Sequence, residues 1–481
     1  MKYANVRNFD NNTALLTDFY ELTMAAGYYF SKYHNDWKTE GIFELFVRKL
    51  PKNRSYLVVA GLQQVVEYIS NFTFNRGQIE YLKSLDVFRK ISQDFYEYLM
   101  ELRFTGNLWA VSEGTVLFPN EPILRIEAPI IEAQLLETFI LSTINFQTLI
   151  ATKASKLHNI ANYKPIIEFG SRRAHGPQAA LLAARAAFIG GCAGTSNTLA
   201  GMQYGIPVYG TMAHSFIMSF ESEIKAFKEF QKLFPDGYLL VDTFDTLNAI
   251  RKIINEGILP KGVRIDSGDL LYLSKKVREM LDAAEDLGYK DTKIMVSGDL
   301  NESIIRDLLD NKAPIDTFAV GTELGTSRDS PVLNGVYKMA AIRVQRKNDK
   351  LDPSNKDEKI RTDTTYDEGK TTVYKTKTSP GKHSFPGPKQ IHRIIDNEGI
   401  LVEDIISLAD ESIEGSLPLL EKIIENGSII KTLPPLTETQ KYHDKQVQMI
   451  PFLRKKDQEQ SFPVFYSQKL IKLAKGLGSI G

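Results

Sequence analysis

The pattern of apolar and polar positions divides the chain into three parts. Up to about Pro129, strand-like runs such as Ile42–Val47 alternate with helical segments such as Thr17–Phe30. Leu108–Ala128 shows the alternation of strands and is punctuated by glycine and proline. This mixture predicts an N-terminal α+β domain, residues 1–130, that is built on an antiparallel sheet.

A long helical pattern without proline, Ile130–Asn162, leads into the second part, residues 131–340. Short apolar runs recur there, several of them about 25–30 residues apart, and each is followed by polar residues and a helical segment. These runs are Pro165–Phe169, Ile206–Tyr209, Tyr238–Val241, Gly262–Ile265, Lys293–Val296 and Asp316–Val320. Repeated strand–helix units predict a parallel sheet, and this many in a row favour a barrel. Because eight units cannot be counted, we predict an irregular α/β barrel.

The third part, residues 341–481, is a C-terminal segment that we expect to complete the N-terminal domain in part. Arg343–Lys370 is highly charged, which predicts a solvated loop or hairpin. Leu419–Asn426 has a helical pattern. The predicted fold class is therefore α/β: an irregular barrel that carries the active site, with an N-terminal α+β domain and a C-terminal extension packed on it.

The composition of the chain argues against several kinds of partner and excludes two kinds of cysteine site. Lys+Arg and Asp+Glu both number 59 in 481 residues, and this zero net charge argues against a nucleic-acid or anionic-membrane partner. The single cysteine, Cys192, excludes an internal disulfide and a cysteine-based metal site, and its apolar surroundings predict a buried filler. The N-terminal residues Met1–Thr13 are polar and lack the apolar stretch of a signal peptide, and no window is long and apolar enough to span a membrane, so we expect a cytoplasmic protein.

Reactive or flexible residues follow each apolar run of the second part, where a barrel carries its active site. The segments are Gly170–Gly176, Gly210–Ser215, Asp242–Thr246, Asp266–Asp269, Ser297–Asp299 and Gly321–Thr326. Gly298 and Gly321 would let backbone N–H groups approach phosphate oxygens, although either glycine could serve only a tight turn. Arg172 and Arg173 could clamp a carboxylate or pyrophosphate, or one of them could pair with an acid of the barrel.

Three acids and one histidine extend this pattern. Asp242, Asp266 and Asp269 stand where Mg²⁺ or ribose hydroxyls would need them. Asp242 and Asp266 could instead cap helices, because a capping acid has the same sequence signature. His214 lies on a strand-to-helix loop, and the spacing leaves both a functional and a structural role open.

Six ordered blocks of sequence carry a family resemblance. They are Leu16–Met24, Glu168–Ala174, Gly210–Ser215, Val263–Asp269, Val320–Thr322, and Ser379–Lys382 together with Pro386–Gln390. In these blocks the chain resembles nicotinate phosphoribosyltransferases over nearly its whole length. The resemblance implies a type II phosphoribosyltransferase of NAD biosynthesis, which joins nicotinate to the ribose of phosphoribosyl pyrophosphate (PRPP). It also implies a homodimer with the active site at the subunit interface.

The resemblance implies roles for particular residues. In such relatives the nicotinate ring stacks between two aromatic side chains, and the matching positions are Phe169 and Tyr20, the latter from the neighbouring subunit. Arg264 resembles the residue that meets the nicotinate carboxylate, with Thr211 nearby. The segments that hold the phosphates of PRPP or product match Arg172, Ser297, Gly298, Asp299, Gly321 and Thr322.

The resemblance also implies ATP as a co-substrate and Mg²⁺ as a cofactor, with no metal ligand assigned. His214 matches the histidine that accepts a phosphoryl group from ATP, which couples ATP hydrolysis to mononucleotide formation. Asp242 and Asp266 match acids near the ribose and pyrophosphate. This ATP coupling would make the enzyme formally a ligase, although its chemistry is glycosyl transfer.

Nicotinamide phosphoribosyltransferases share several of these blocks, but they carry an acid after a Gly-Thr pair that receives the amide group. Here Gly194 and Thr195 are followed by Ser196. A carboxylate at this position would repel nicotinate, whereas a serine can donate a hydrogen bond to it. The sequence therefore favours nicotinate over nicotinamide.

Two other classes of protein fit the pattern less well. A sugar-phosphate aldolase would need a Schiff-base lysine at a strand end, and none of the six segments contains a lysine. A non-enzymatic nucleotide-binding protein would be expected to lack His214, Asp266 or Arg264, and all three are present.

Overall fold

The computed structural model describes residues 13–31, 39–345, 364–367, 370–377, 382–451 and 462–479. In this part of the chain the helices are α1 (Phe19–Phe30), α2 (Leu62–Ser70), α3 (Arg76–Ser84), α4 (Gln93–Glu101), α5 (Ile130–Leu135), α6 (Glu137–Ile160), α7 (Pro177–Ile189), α8 (Thr198–Tyr204), α9 (His214–Met218), α10 (Glu223–Leu233), α11 (Thr246–Asn255), α12 (Leu270–Asp282), α13 (Glu302–Asp310), α14 (Thr322–Gly325), α15 (Leu436–Gln448) and α16 (Gln468–Gly476). Short 3-10 helices span Asp86–Phe88, Ser171–Arg173 and Glu285–Leu287.

The strands of the same residues are β1 (Glu40–Val47), β2 (Leu57–Val58), β3 (Asn107–Ala110), β4 (Val116–Leu117), β5 (Pro122–Pro129), β6 (Ile166–Glu168), β7 (Gly194–Thr195), β8 (Tyr238–Leu240), β9 (Gly262–Ile265), β10 (Lys293–Val296), β11 (Thr317–Val320), β12 (Gly335–Gln345), β13 (Thr364–Asp367), β14 (Lys370–Tyr374), β15 (Lys389–Ile395), β16 (Leu401–Leu408), β17 (Leu417–Pro418), β18 (Glu421–Glu425), β19 (Ser428–Ile429) and β20 (Val464–Tyr466).

Contacts within the chain define two compact units. The barrel unit comprises Leu149–Pro331 and Leu436–His443. The sheet unit comprises the described residues of Val6–Thr148, Val332–Pro435 and Asp444–Gly481. Helices α6 and α15 each contribute residues to both units.

The sheet unit is organised around an eight-stranded antiparallel sheet. Its strand order is β13-β14-β12-β1-β5-β3-β18-β19, so strands from the C-terminal part of the chain pair with strands from the N-terminal part. Strand β1 lies centrally, between β5 and β12, and its residues are almost all buried. A four-stranded sheet, in the order β17-β15-β16-β20, and the short pair β2-β4 belong to the same unit.

Two sequence predictions in these regions need correction. Leu419–Asn426 is not helical, because it contains β18, in which Ile424 lies opposite Leu108 of β3. The buried, β-branched pair Ile423 and Ile424 suits a strand in a sheet, and that preference prevails over a weak helical spacing. The long helical pattern Ile130–Asn162 is divided at Leu136 into α5 and α6.

The segment Arg343–Lys370 is described only in part, since residues 346–363 and 368–369 lie outside the described residues. Its described C-terminal end contains β13, which pairs with β14 in antiparallel register from Thr364 opposite Val373 to Asp367 opposite Lys370. This pairing is consistent with the hairpin interpretation of that end of the segment.

The barrel unit contains a six-stranded parallel sheet in the order β7-β6-β11-β10-β9-β8. Its strands are short apolar runs, and most of their residues are buried, as expected for a parallel sheet that helices cover on its faces. The predicted run Ile206–Tyr209 joins β7 only through a parallel bridge between Thr195 and Val208. The sheet therefore has the irregular character that the sequence predicts.

Polar residues at the N-termini fix where several helices of this unit begin. In each case a side-chain oxygen of the capping residue accepts a hydrogen bond from the backbone N–H three residues later. The capping residues are Asn197, Ser222, Asp245, Asp269 and Asn301. Ser222 follows α9, whereas each of the other four caps lies within five residues of the end of the preceding strand. The residues that follow these four strands are therefore held close to the sheet edge.

Two smaller predictions concern Cys192 and membrane spans. Cys192 is fully buried, which confirms its prediction as a buried filler, and burial raises the pKa of its thiol. Within the described residues, every helix is too short or too polar to cross a bilayer.

Candidate active site

Asp242 and Asp266 follow the adjacent strands β8 and β9, and each accepts a hydrogen bond from a serine. Ser267 Oγ donates to Asp242 Oδ2 at 2.5 Å, and Ser297 Oγ donates to Asp266 Oδ1. Asp242 Oδ1 is buried and has no hydrogen-bond partner among the described residues. Because buried carboxylate oxygens are almost always paired, this atom fits a cation or a ligand hydroxyl. The pair suits Mg²⁺, which takes one or two carboxylates, or the hydroxyls of a ribose.

Other acids cap the helices behind these loops. Asp245 Oδ1 accepts a hydrogen bond from the N–H of Asn248 at 2.6 Å and caps α11. Asp269 caps α12 in the same way through the N–H of Tyr272 at 3.0 Å. The capping role therefore belongs to Asp245 and Asp269, and the carboxylates of Asp242 and Asp266 are used elsewhere.

His214 is the first residue of α9 and lies between two strand ends. Its Nδ1 is 3.1 Å from Thr243 Oγ1, and its Nε2 is 3.8 Å from Asp266 Oδ2. The Thr243 hydroxyl thus orients the imidazole, while Nε2 is beyond hydrogen-bond distance of Asp266. With 40% of its side chain exposed, His214 is accessible to a ligand. The contact of His214 with Thr243 also joins the loop after Ile206–Tyr209 to the loop after β8. These two loops lie at opposite edges of the parallel sheet.

Arg264, on β9, is a cation held in largely buried surroundings. Its Nη2 donates to the carbonyl of Met212 at 3.1 Å, and its Nη1 is 3.9 Å from Asp266 Oδ1. Its Nε is buried without a partner in the described part of the chain. Burial lowers the pKa of the Arg264 guanidinium, Asp266 and Asp242 raise it, and Arg172 lowers it further. A desolvated cation with an unpaired N–H is suited to bind an anionic group of a ligand.

Phe169 follows β6 and packs on the apolar cluster of Ile167, Met295 and Ala319. Its N–H donates to the carbonyl of Val320 at 2.8 Å, which places the start of this loop beside the end of β11. The phenylalanine is only partly buried. One apolar ring is therefore available to a ligand at this edge of the sheet.

Glu168 joins the ends of β6 and β7. Its carboxylate accepts hydrogen bonds from Thr195 Oγ1 at 2.6 Å and from the N–H of Gly170, and its carbonyl accepts one from the N–H of Ser196 at 2.9 Å. Burial raises the pKa of Glu168, although the two hydrogen bonds to the carboxylate lower it. This buried acid fixes the backbone on both sides of Phe169 and places Ser196 in the adjacent loop.

The segments after β10 and β11 are tight turns. Gly298 has a φ of +91°, and a Cβ at this position would lie 1.9 Å from the carbonyl oxygen of Asp266, so only glycine fits. Asp299 also has a left-handed backbone, with φ +46°. Gly321 and Thr322 follow β11 directly, and Thr322 begins α14.

Most of the candidate residues therefore lie at the carboxyl ends of strands of one parallel sheet, or just before and at the start of α9. These residues are Phe169, Arg172, Ser196, Thr211, His214, Asp242, Arg264, Asp266, Ser297, Gly298, Asp299, Gly321 and Thr322. Thr211 precedes Met212, whose carbonyl accepts hydrogen bonds from both the Thr211 hydroxyl and Arg264.

Comparison with known proteins connects this arrangement to a family. Residues 15–145 match the family model described as the nicotinate phosphoribosyltransferase N-terminal domain, and residues 165–382 match the nicotinate phosphoribosyltransferase family. A nicotinate phosphoribosyltransferase of Mycobacterium tuberculosis (strain H37Rv) is 40% identical over 467 residues, which cover 95% of this chain and 92% of the relative. That of Bacillus subtilis is 40% identical over 413 residues, covering 84% and 78%. The chain belongs to the nicotinate phosphoribosyltransferase family.

Solved structures agree with this nicotinate phosphoribosyltransferase fold. Human nicotinic acid phosphoribosyltransferase superposes with a TM-score of 0.76 at 24% identity, covering 96% of this chain and 99% of that one. A nicotinate-nucleotide pyrophosphorylase from Pyrococcus furiosus superposes with a TM-score of 0.69 at 25% identity, covering 93% and 98%. The predicted α/β fold class is confirmed.

Tyr20 lies in the sheet unit, on α1. Its side chain is 47% exposed. Partial burial and the charges of Glu137, Glu21 and Asp18 raise the pKa of its phenol. The neighbouring Glu21 is fully buried and accepts a hydrogen bond from Thr138 Oγ1 at 2.6 Å, which anchors α1 within this unit.

Three residues that position this site did not stand out in the sequence: Glu168, Thr243 and Ser267. Glu168 had one signal, since it is a carboxylate within an otherwise apolar strand. Thr243 and Ser267 each follow directly after a strand-end acid, and such a pairing of acid and hydroxyl is too common to be specific. Their contacts depend on which strands are neighbours, and that order is not visible in the sequence.

Proposed function

We propose that this protein forms nicotinate mononucleotide and pyrophosphate from nicotinate and PRPP, coupled to ATP hydrolysis through His214, in NAD biosynthesis. The observation that carries the proposal is the proximity of four side chains. Asp266 lies 3.8 Å from His214 and 3.9 Å from Arg264, and Ser267, next to Asp266, donates to Asp242. Family membership supports the same reaction, since relatives over most of the chain are named nicotinate phosphoribosyltransferases.

The substrate specificity of the proposed reaction comes from Arg264 and Ser196. Arg264 would pair with the nicotinate carboxylate through the N–H that lacks a partner in the described part of the chain. Ser196 would donate to the same substrate, where an acid would repel it. Phe169 supplies one aromatic face for the pyridine ring. Nicotinamide, which has no negative charge, would gain little from Arg264.

At C1′ of PRPP, the bond to pyrophosphate breaks and the ribose gains oxocarbenium-like character. The pyridine nitrogen of nicotinate then forms the new bond from the opposite face, and it needs no general base. Catalysis is therefore chiefly positioning and electrostatic stabilisation. Asp242 and Asp266 would hold the ribose hydroxyls or a Mg²⁺ ion, which when bound would neutralise charge on the departing pyrophosphate.

The phosphate groups of PRPP would lie against the segments Ser297–Asp299 and Gly321–Thr322, with Arg172 beside them. The left-handed turn at Gly298 and Asp299 is a conformation that brings backbone N–H groups toward an anion. We propose that two copies of the chain assemble and that Tyr20 of one copy completes the nicotinate pocket of the other.

The coupling to ATP is proposed to proceed through the imidazole of His214. Thr243 engages Nδ1, so Nε2 is the nitrogen oriented to accept a phosphoryl group. The bond from the γ-phosphorus to the ADP oxygen would break as the bond to Nε2 forms, and water would later release phosphate. Phosphorylation adds negative charge beside Asp266, a change that could alter PRPP binding between the two states.

One assay tests the proposal directly. Purified protein is incubated with PRPP, Mg²⁺ and either nicotinate or nicotinamide, with and without ATP, and the mononucleotide is detected by chromatography. We expect product from nicotinate, faster with ATP, and little from nicotinamide. A preference for nicotinamide would overturn the role of Arg264 and Ser196, and no product from either base would overturn the proposed function.

A further inference from the structure

Lys153, on α6 in the barrel unit, is a fully buried cation surrounded by carboxylates. Its Nζ lies 2.7 Å from Glu302 Oε2, 2.7 Å from Glu323 Oε1 and 2.9 Å from Asp329 Oδ1, and its side chain has 0% exposure. An ammonium has three N–H donors, so each of them has a carboxylate oxygen as its partner. Burying such a cation is costly unless its partners are held in place.

The partners of Lys153 follow closely on two segments that the proposed reaction uses. Glu302 is the first residue of α13 and follows closely on the segment Ser297–Asp299. Glu323 lies in α14, directly after Gly321–Thr322, and Asp329 follows shortly after that helix. One ammonium therefore joins the starts of two helices that follow β10 and β11, at the positions where PRPP phosphates are proposed to bind.

The same three carboxylates could be mistaken for a metal site. Their oxygens lie within 4.8 Å of one another, a spacing compatible with a bound ion. Lys153 Nζ, however, is within 2.9 Å of an oxygen of each carboxylate, so the lysine already supplies the positive charge. The cluster is therefore a set of ion pairs between side chains of the barrel unit.

We propose that Lys153 is a positioning residue for PRPP, an inference that rests on the proposed function. The ammonium holds the turns after β10 and β11 at the spacing that the PRPP phosphates require. Without it, three mutually repelling carboxylates would lie at the base of α13 and α14 and push the two turns apart. Lys153 acts through these segments, whereas Arg264 lies on β9 and its guanidinium is held by the carbonyl of Met212.

The test compares three variants with the wild type. Lys153→Met removes the ammonium, and Glu323→Gln keeps the shape of one partner while removing its charge. Lys252→Met is the control for loss of an ion-paired lysine, because the half-exposed Lys252 pairs with Glu223 at 2.6 Å elsewhere in the barrel unit. The measurements are PRPP affinity by calorimetry, KM for PRPP and for nicotinate, kcat, and the melting temperature.

For Lys153→Met we expect PRPP affinity to fall by about tenfold to a hundredfold, because the turns proposed to hold its phosphates lose their spacing. Misplacement by about an ångström can cost about a hundredfold in the rate of a positioned reaction. KM for nicotinate should stay within about twofold of the wild-type value, because Arg264 keeps its contact with the Met212 carbonyl. Loss of folded protein alone would lower the active fraction and change neither KM. Glu323→Gln should shift PRPP affinity in the same direction by less, because the amide still accepts a hydrogen bond. Lys252→Met should bind PRPP like the wild type.

Several outcomes would overturn the inference. The inference is wrong if Glu323→Gln and folded Lys153→Met both bind PRPP with wild-type affinity. It is also wrong if Lys153→Met raises KM for PRPP and KM for nicotinate equally. If Lys153→Met does not fold, Glu323→Gln decides the question. If the wild type binds PRPP without forming product from nicotinate, the proposed function fails, while PRPP affinity still tests Lys153. If the wild type does not bind PRPP, both fail.

Discussion

At the residue scale, the groups that define this site have buried polar atoms that make no hydrogen bond to the described residues around them. Arg264 has a buried Nε, and Asp242 a buried Oδ1, without a partner among the described residues. Both side chains are otherwise fixed, by the Met212 carbonyl and by the Ser267 hydroxyl. Because a buried polar atom without a partner costs free energy, such atoms mark the positions where a ligand would contribute most.

Replacing Arg264 by Ala should weaken nicotinate binding selectively. The lost contact is between a desolvated guanidinium and a carboxylate, so KM for nicotinate should rise by roughly ten- to a hundredfold. KM for PRPP should change little. Steady-state kinetics with each substrate varied in turn measures both values. Arg251→Ala, at an exposed position on α11, is the control and should behave like the wild type. An equal rise in both KM values would contradict the assignment.

Replacing His214 by Ala should abolish phosphoenzyme formation and the stimulation by ATP, because alanine has no nucleophilic nitrogen. Slow synthesis without ATP should remain, since no other step of the proposed reaction uses the imidazole. Labelling with γ-labelled ATP and product formation with and without ATP measure the two effects. Thr243→Val, which removes the hydroxyl at Nδ1, should give intermediate labelling. Full ATP stimulation in His214→Ala would refute the role.

At the scale of elements, the site is made by the short connections between strands and the helices that follow them. The loop from β10 to α13 begins with Ser297, turns through Gly298 and Asp299 in left-handed conformations, and ends at the cap Asn301. Ser297 donates to Asp266 of the neighbouring loop, only a glycine fits the backbone position of Gly298, and Asn301 caps α13. The connection therefore has little freedom, which suits a segment proposed to hold a phosphate.

Replacing Gly298 by Ala should raise KM for PRPP and lower stability. A methyl group there would meet the carbonyl oxygen of Asp266, so the loop must move. Gly257→Ala is the matched control, because Gly257 also has a positive φ, +63°, but has open space around it. The control should lose about 1 kcal/mol of unfolding free energy and keep its kinetics. Urea denaturation and kinetics measure both variants. Equal effects of the two substitutions would show that crowding at Gly298 is unimportant.

At the scale of the whole molecule, the sheet unit buries acids as well as apolar side chains. Glu132 is 6% exposed and accepts hydrogen bonds from the N–H of Thr105 at 2.6 Å and from its hydroxyl at 3.0 Å. Burial raises the pKa of Glu132 to about 7, although these hydrogen bonds lower it. Glu21, which anchors α1, also has a pKa of about 7, chiefly because of burial.

These raised pKa values predict that the contributions of Glu132 and Glu21 to the stability of the sheet unit fall as the pH rises. The folded protein retains a proton on Glu132 up to about pH 7, whereas the unfolded chain loses it near pH 4.5, so stability falls as the pH rises between these values. The stability of the wild type relative to Glu132→Gln should therefore fall by at most about 3 kcal/mol from about pH 5 to pH 8. Urea denaturation across this range measures the difference. Glu80→Gln, at an exposed position, should keep the wild-type pH dependence, and identical pH profiles for wild type and Glu132→Gln would contradict the prediction.

Much of the barrel unit could be predicted because its signals are local. A run such as Tyr238–Val241 is apolar because its strand is buried, and the residues after it are polar because the strand ends there. The two-residue strand β7 was too short to give a pattern, and Ile206–Tyr209 forms only a bridge. Leu419–Asn426 was predicted wrongly because its strand character depends on pairing with β3, more than 300 positions earlier.

The amino-acid sequence by itself determined where the strands of the barrel unit end and which reactive side chains stand there, among them His214, Arg264 and Asp266. Only the tertiary structure decided which of these side chains meet. Thr243 reaches His214 and Lys153 reaches Glu302 because strand order and helix packing bring distant segments together. Local propensities depend on a few neighbouring residues, whereas these contacts depend on the arrangement of the whole sheet.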